Sequence, residues 1–239
     1  MSTVGGSWSR PKIVNDGLVL YLDASAPNSY SPYFTPTTWK DLSGNNNSGS
    51  LVNGPTFNSA NGGSIVFDGV NDYVLVPSSA SIPTGSSARS ISLWFSTNTS
   101  TWTKDINTLF FYGSGTNGRA FGIDFDTYPV MEVFTWGGTG RDLLFSSSFS
   151  QTGWKNLSIT YNGSTTILIY ENGTYTQTLA LTLACNTTTS NVYIGAINPA
   201  VLAGGYFTGS ITQTSIYNRA LTAAEVLQNY NATKNRFGL

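Results

Sequence analysis

Between Leu157 and Leu181 lie three short runs rich in β-branched and aromatic residues, Leu157–Tyr161, Thr165–Tyr170 and Tyr175–Leu181. Asn162-Gly163 and Asn172-Gly173 separate them. Asn-Gly between apolar runs is the strongest short-range hairpin signal, because the favoured two-residue turn needs positive φ at both central positions. The spacing predicts a three-stranded antiparallel meander. Such a meander buries one face only, so the rest of the chain must supply a second layer to cover it.

The rest of the chain is written in the same way. Strands are predicted at Gly17–Asp23, from Leu51 to Val52, and at Ile65–Phe67, Tyr73–Val76 and Arg89–Thr97. Further strands are predicted at Thr108–Tyr112, Ala120–Asp126, Val130–Trp136, Asp142–Ser146, Val192–Ala196 and Phe207–Tyr217. In RSISLWFST, Ile91, Leu93 and Phe95 share one face and Ser92, Trp94 and Ser96 the other, the alternation of a half-buried strand. The stretch Gly62–Pro77 reads as strand, polar corner and strand, with Asp68, Gly69, Asn71 and Asp72 supplying turn conformations. One helix is predicted, from Ala223 to about Lys234. Thr222 and Glu225 have the spacing of a capping box, and Leu221 and Val226 that of a hydrophobic staple. Ala223, Val226, Leu227 and Tyr230 are expected to form its apolar face. Roughly fourteen strands and one helix in 239 residues predict an all-β, two-sheet antiparallel sandwich spanning 17–239, preceded by an arm or docking segment at 1–16 with Trp8 as its adhesive residue.

Composition narrows the function. Aromatic residues make up 13% of the chain and charged residues only 10%, and the net charge is −1. Without a Lys/Arg cluster, nucleic acid and anionic membrane are not expected partners. Histidine is absent, which removes the commonest general base and zinc ligand. Cys185 is the only cysteine and sits in an apolar run, so it is expected to be an inert core thiol. No cleavable export signal or bilayer-length apolar run is read in the sequence, so a soluble protein without a cleaved leader is expected. The Asn-x-Ser/Thr triplets at Asn156, Asn162, Asn172 and Asn186 are expected by chance in a chain this rich in those residues.

Several segments together resemble the concanavalin A-like lectin/glucanase superfamily, in its laminin-G-like jelly-roll branch. They are GLVLYLDAS (17–25), TTWKDLSGNNNSG (37–49), GGSIVFDGVNDYV (62–74), SISLWFS (90–96), ITYNGSTTILIYENG (159–173), YIGA (193–196) and FTGSITQTSIYNRALTAAEVLQNY (207–230). The resemblance implies a jelly roll. Family members serve as lectins, adhesion modules and virion parts, so it does not by itself imply a function. The opening GLVLYLDAS and the ending RALTAAEVLQNYNATKNRFG are most similar to stand-alone structural proteins of tailed phages. That likeness implies a non-enzymatic virion surface protein, multimeric on the particle beside capsid, tail or fibre proteins and contacting glycans. A free bacterial lectin or adhesion module is the alternative, and a glycoside hydrolase the weaker one.

Three groups of residues are candidate sites. Related domains often hold one structural Ca²⁺ near such corners, and Asp41, Ser43, Asn45, Asn46 and Asn47 with Asp68 and Asp72 carry the oxygen donors that Ca²⁺ takes. The same residues equally suit Asx-turns, in which the side chain accepts backbone N–H groups. The run from Asp41 is not an EF-hand loop, because Asn46 and Val52 stand where Gly and Glu are required. Trp94, Glu132, Phe134 and Trp136 alternate with the expected core set and form a candidate glycan platform on an outer sheet face. Such a patch is more often covered by a subunit or by the arm. Asp124 and Asp126 share a strand face roughly 6.5–7 Å apart, near the spacing of an inverting glycosidase pair. The neighbouring pattern fits solvated edge carboxylates better.

Overall fold

In a computed structural model, which describes residues 12–97 and 107–239, the chain forms two antiparallel eight-stranded sheets packed face to face. The strands in chain order are β1 (Leu18–Asp23), β2 (Thr38–Trp39), β3 (Gly49–Val52), β4 (Thr56–Asn58), β5 (Ser64–Asp68), β6 (Tyr73–Val76), β7 (Arg89–Thr97) and β8 (Thr108–Gly113). They continue as β9 (Ala120–Phe125), β10 (Val130–Phe134), β11 (Asp142–Ser146), β12 (Trp154–Tyr161), β13 (Thr166–Glu171), β14 (Thr174–Ala180), β15 (Val192–Ile194) and β16 (Thr208–Tyr217). One helix, α1 (Ala223–Thr233), and a 3₁₀ turn at Lys234–Phe237 close the chain. The first sheet runs β14-β13-β12-β7-β16-β5-β4, with β1 also paired to β16, and the second β11-β10-β9-β8-β15-β6-β3-β2. This is the two-sheet sandwich expected from the sequence. Trp8 and the rest of 1–11 lie outside the described residues.

The meander is present as β12-β13-β14. Its second turn has the expected form, with Asn172 at φ 50° and Gly173 at φ 77°. The first differs: only Gly163 takes a positive φ. Asn162 accepts N–H bonds from Ser164 and Thr166 through its own side chain, so an Asx-type loop replaces the two-residue turn.

In the first sheet β16 is central. β7 flanks it along its length, while its other edge is shared, with β5 against Thr208–Ile211 and β1 against 213–217. The register shifts at Thr212, whose carbonyl accepts from Ala24 N and whose hydroxyl donates to Gly63 O. A bulge here lets one strand change partners without leaving a backbone group unpaired. Between the sheets lies one apolar core, including Leu20, Leu22, Ile65, Phe67, Ile91, Leu93, Phe95, Phe110, Phe121 and Ile123. Cys185 belongs to it, and burial pushes its thiol pKa up, as an unreactive thiol requires.

Arg89, the first residue of β7, is fully buried. Its guanidinium donates to the carbonyls of Pro83, Ser87 and Gly85, to Thr187 Oγ1 and to Tyr112 Oη. The rings of Tyr112, Phe121 and Tyr161 surround it at 5.4–5.7 Å. Among the described residues no carboxylate forms an ion pair with it.

The outer face of the first sheet is covered by the chain itself. Trp94 is 1% exposed, its ring stacked on Phe237 at 4.3 Å and on Tyr230 at 5.5 Å. Its Nε1 donates to Thr233 Oγ1. The capping box forms as expected, with Glu225 also gripped by Arg219. The buried face of α1 differs from the expected one. It consists of Val226, Asn229 and Thr233, while Ala223 and Leu227 are exposed. The difference arises because the helix docks partly through polar contacts. Asn229 accepts from Val14 N and donates to Tyr217 Oη, which in turn donates to Val14 O. Residues 12–15 thereby pack beside the helix.

Two predictions follow from these contacts. Arg89→Met leaves several buried carbonyls unpaired and should cost about 3 kcal/mol or more, read as a lower midpoint in urea unfolding. Arg89→Lys should recover little of it, since an ammonium has three donors where the guanidinium has five. The second prediction concerns acid. The Arg219 bond and the Thr222 N–H hold the Glu225 carboxyl down at about 2. A depressed carboxylate contributes stability above its unfolded value, about 4.3, that is lost as pH falls towards 2. Helix docking, followed by Trp94 fluorescence, should therefore weaken between about pH 4.3 and 2, and Glu225→Gln should flatten that dependence.

Candidate functional site

The second sheet keeps an outer face that neither α1 nor the chain end covers. Its outward residues form a row of register partners, Leu75, Tyr193, Phe111, Gly122, Phe134 and Asp142, one from each of β6, β15, β8, β9, β10 and β11. Phe111 stacks on Phe134 at 6.0 Å, and Trp136 meets both edge-on at 6.2–6.3 Å. Gly122 makes this possible, since a Cβ there would lie 2.1 Å from the Phe134 ring. The ring lies flat over β9 because the strand has no side chain beneath it.

Trp136 lies just past the end of β10 in a left-handed conformation, φ 68°. Its carbonyl accepts from Gly118 N, and Gly137 follows where a Cβ would meet Asn117 at 2.5 Å. The turn therefore departs from the strand expected up to Trp136, and its effect is to rotate the indole over the edge of the aromatic row. From the opposite side comes the loop after β15, closed by N–H bonds from Val201 and Leu202 to Asn198 O. It brings Ile197 and Leu202 to the same place.

Together these elements enclose a groove of about 420 Å³. Phe134 and Trp136 supply its aromatic surface, and Asp124, Glu132 and Asp142 its acceptors. Glu132 is the register partner of Asp124 on one side and Leu144 on the other. Asp142 Oδ2 accepts from Gly138 N, which ties the glycine turn to β11. A second depression of about 660 Å³ shares Glu132, Gly138 and Asp142 with the first and continues past Leu144 to Thr178. A half-buried indole beside carboxylates is the pairing that sugars use, with C–H faces on the ring and hydroxyls on the acceptors.

The structure brings three of the four predicted platform residues together and removes the fourth. Glu132, Phe134 and Trp136 line the groove, but Trp94 lies in the other sheet beneath α1. Strand alternation tells inside from outside but not which sheet, and both faces read alike in the sequence. Asp124 and Asp126 also part company. β9 ends at Phe125, and Asp126, one residue beyond it, accepts from Thr127 N. Asp124 is only 4% exposed, so it is not the solvated carboxylate expected. Gly122, Asp142, Ile197 and Leu202 were not expected. A glycine within an otherwise apolar strand was the one signal that pointed to a close approach.

The residues proposed for Ca²⁺ do not form one site. The Asp41–Asn47 corner precedes β3 and the Asp68–Asp72 corner precedes β6, and these strands are antiparallel partners. The corners therefore lie at opposite ends of a ladder roughly 10 Å or more long. Asp41 Oδ1 accepts from Tyr21 N and Ser43 N, and Oδ2 from Ser43 Oγ and Asn47 N. Four donors fill the four lone-pair positions of a carboxylate, which leaves none for a cation. Asn45 and Asn47 turn their amides to the carbonyls of Leu18 and Val19, and Asn46 supplies a left-handed turn at φ 60°. At the other corner Asp72 accepts Asp68 N and Asp68 accepts Val70 N. Burial raises the Asp72 pKa, which also disfavours its charged form. The donor set fits Asx-turns, not calcium.

A family model described as "Concanavalin A-like lectin/glucanases superfamily", of the laminin G type, matches residues 68–227. Among curated proteins, none matches by sequence. Solved structures share the fold. The binding domain of Paraclostridial Mosquitocidal Protein 1 superposes with a TM-score of 0.69 at 20% identity, covering 91% of this chain and 52% of its own. The binding domain of Botulinum neurotoxin DC, in complex with rat synaptotagmin II, gives 0.68 at 17% identity, covering 92% and 52%. Domain 4 of AbnA, an extracellular arabinanase from Geobacillus stearothermophilus, in complex with arabinotriose, gives 0.64 at 16%, covering 89% and 98%. The chain thus spans about half the length of the toxin binding domains and nearly all of the arabinanase domain.

Replacing Asp41 by Asn puts an amide donor against N–H groups and should destabilise the fold by about 1–3 kcal/mol. In the EDTA-treated wild type, added Ca²⁺ should leave both calorimetric heat and melting temperature unchanged. A Ca²⁺-dependent rise that Asp41→Asn removes would overturn the Asx-turn assignment.

Proposed function

The chain belongs to the concanavalin A-like lectin/glucanase superfamily, and we propose that it is a non-enzymatic glycan-binding module whose site is the groove over β9–β11. The observation that carries this reading is the half-buried indole of Trp136, set beside Phe134 and next to Glu132 and Asp142. A sugar ring stacks on the indole while its hydroxyls donate to the carboxylates. The continuous depression towards Thr178 fits a chain of sugars rather than a single one. The arabinanase domain, spanned almost completely, is consistent with such a ligand. Hydrolysis is disfavoured because the carboxylate pair expected on β9 is not presented as one: Asp124 is 4% exposed, while Asp126 lies beyond the end of the strand and accepts from Thr127 N.

The setting we propose is the surface of a tailed-phage particle, following the resemblance of the first and last segments to virion proteins. There, many copies convert weak single contacts into avidity. Mass spectrometry of purified particles tests this setting separately from binding. Particles without the chain would leave a free lectin as the setting.

Trp136→Ala should weaken retention on a responsive glycan array roughly tenfold, while the far-UV circular dichroism stays that of the wild type, because the indole packs on the outer aromatic row and not in the core between the sheets. Gly122→Val should abolish binding as well, by lifting the Phe134 ring, although it lies outside the groove lining. Detectable turnover of any bound polysaccharide, lost on Glu132→Gln, would replace the lectin reading with a hydrolase.

A further inference from the structure

A second groove, of about 780 Å³, lies between the loop after β1 and the edge strand β4. Tyr30 and Phe57 form its floor, their rings 5.3 Å apart and inclined at 31°. Tyr33 stands on its rim with 88% of its surface exposed, next to Phe34 at the same exposure. The loop is ordered by its own bonds. Thr35 N donates to Ser31 O, Phe34 N to Ser31 Oγ, and Tyr30 Oη to Pro36 O. A loop whose backbone is already hydrogen-bonded has less conformational freedom left to lose when a ligand meets the ring it presents, which favours a preorganised binding surface.

The lining selects the ligand. The hydroxyls of Ser25, Ser31, Thr56 and Ser59 line the groove beside the rings, Ser25 donating to Asp23 Oδ1 and Ser31 accepting from Phe34 N, and among the described residues no carboxylate, ammonium or guanidinium group lines it. A charged ligand would give up hydration and find no counter-charge. A neutral ligand with alternating C–H faces and hydroxyls would meet both of its needs, within the size range of small-ligand sites.

Position gives the groove a consequence. β4 ends the first sheet, and only three residues link it to β3 near the corresponding end of the second. The other ends are tied by the bond from Gln177 on β14 to Ser146 O on β11. The Trp136 groove over β9–β11 and the Tyr33 groove at β4 therefore lie at opposite edges of the sandwich. Five inter-strand spacings separate β10 from β3, on the order of 25 Å.

We propose that the Tyr33 groove is a second glycan site, selective for neutral sugars, and that one chain bridges two glycan strands from opposite edges. The bridging part rests on the Trp136 groove also binding glycan, whereas the second site does not.

The test uses an array of neutral and acidic oligosaccharides, probed with wild type, Trp136→Ala, Tyr33→Ala and the double variant. Tyr33 is so exposed that its loss leaves the fold intact, and Tyr33→Trp, which keeps a ring, should retain binding. Trp136→Ala should keep a subset of neutral glycans, which Tyr33→Ala should bind roughly two- to tenfold more weakly and the double variant should lose. Wild type should cross-link beads coated with those glycans, and neither single variant should. If all binding disappears with Trp136→Ala, or the retained subset is acidic, the second site is wrong. Binding of a proline-rich peptide in place of sugars would overturn it too. Binding sensitive to Tyr33 alone would instead remove the Trp136 site and keep this one.

Discussion

The sandwich is closed at one end around a buried cation that has no ion-pair partner among the described residues. Arg89 stands where the chain crosses from the second sheet to the first, and its five N–H donors collect carbonyls from the crossover itself. Burying a guanidinium is costly unless every donor is used, and three aromatic faces with four or more acceptors meet that condition. The contacts reach β7, β8, β9 and β12 and the segment at Thr187, so both sheets depend on one side chain. Lys155 repeats the device in the same sheet. It lies over Phe95, donates to Gly153 O, and is pushed down to about 8 by its burial. In a chain with so few charges, those inside organise loops against the core.

Given closed ends, the two outer faces take different fates for a physical reason. On the first sheet Trp94 offers a large ring with an N–H that must find an acceptor when covered. α1 supplies Thr233 for that hydrogen and Tyr230 for the ring, and the 3₁₀ turn supplies Phe237. Arg236 then pairs with Asp23, whose burial alone would raise its carboxyl pKa but whose bonds to Arg236 and Ser25 hold it below the usual range. On the second sheet the aromatic row is closed from below by the absence of a side chain at Gly122 and left open at Trp136. One face became an internal interface and the other a groove.

These distinctions set how much could be read without coordinates. Turn chemistry and capping are local, so the meander, the capping box and the Asx corners were legible to within a residue or two. The outward position of Trp94, Glu132 and Phe134 was legible as well, because alternation has a period of two. Which sheet each strand joins is decided by contacts far apart in sequence, and no local pattern carries it. Trp94 was for that reason grouped with residues across the core. The buried face of α1 was misjudged for a related reason, since Asn229 and Thr233 are buried by what they bond to and not by their hydrophobicity.

The corner residues do not fit Ca²⁺ because of a count that sequence does not contain. Seven residues with oxygen donors look like a binding loop until the donors pointing at them are known. Asp41 shows why: its four acceptor positions are filled by β1 and its own corner, which fastens the strand before β3 to the opposite sheet. The same oxygen-rich composition thus serves cohesion at the corners. At the groove, carboxylates project from an outer sheet face beside a half-exposed ring, and there the chemistry is directed outward. A jelly roll can accordingly hold its ends with the residue types it uses for recognition, and what separates the two roles is where the side chain lies: Asp41 closes its own corner, while Glu132 and Asp142 line a groove.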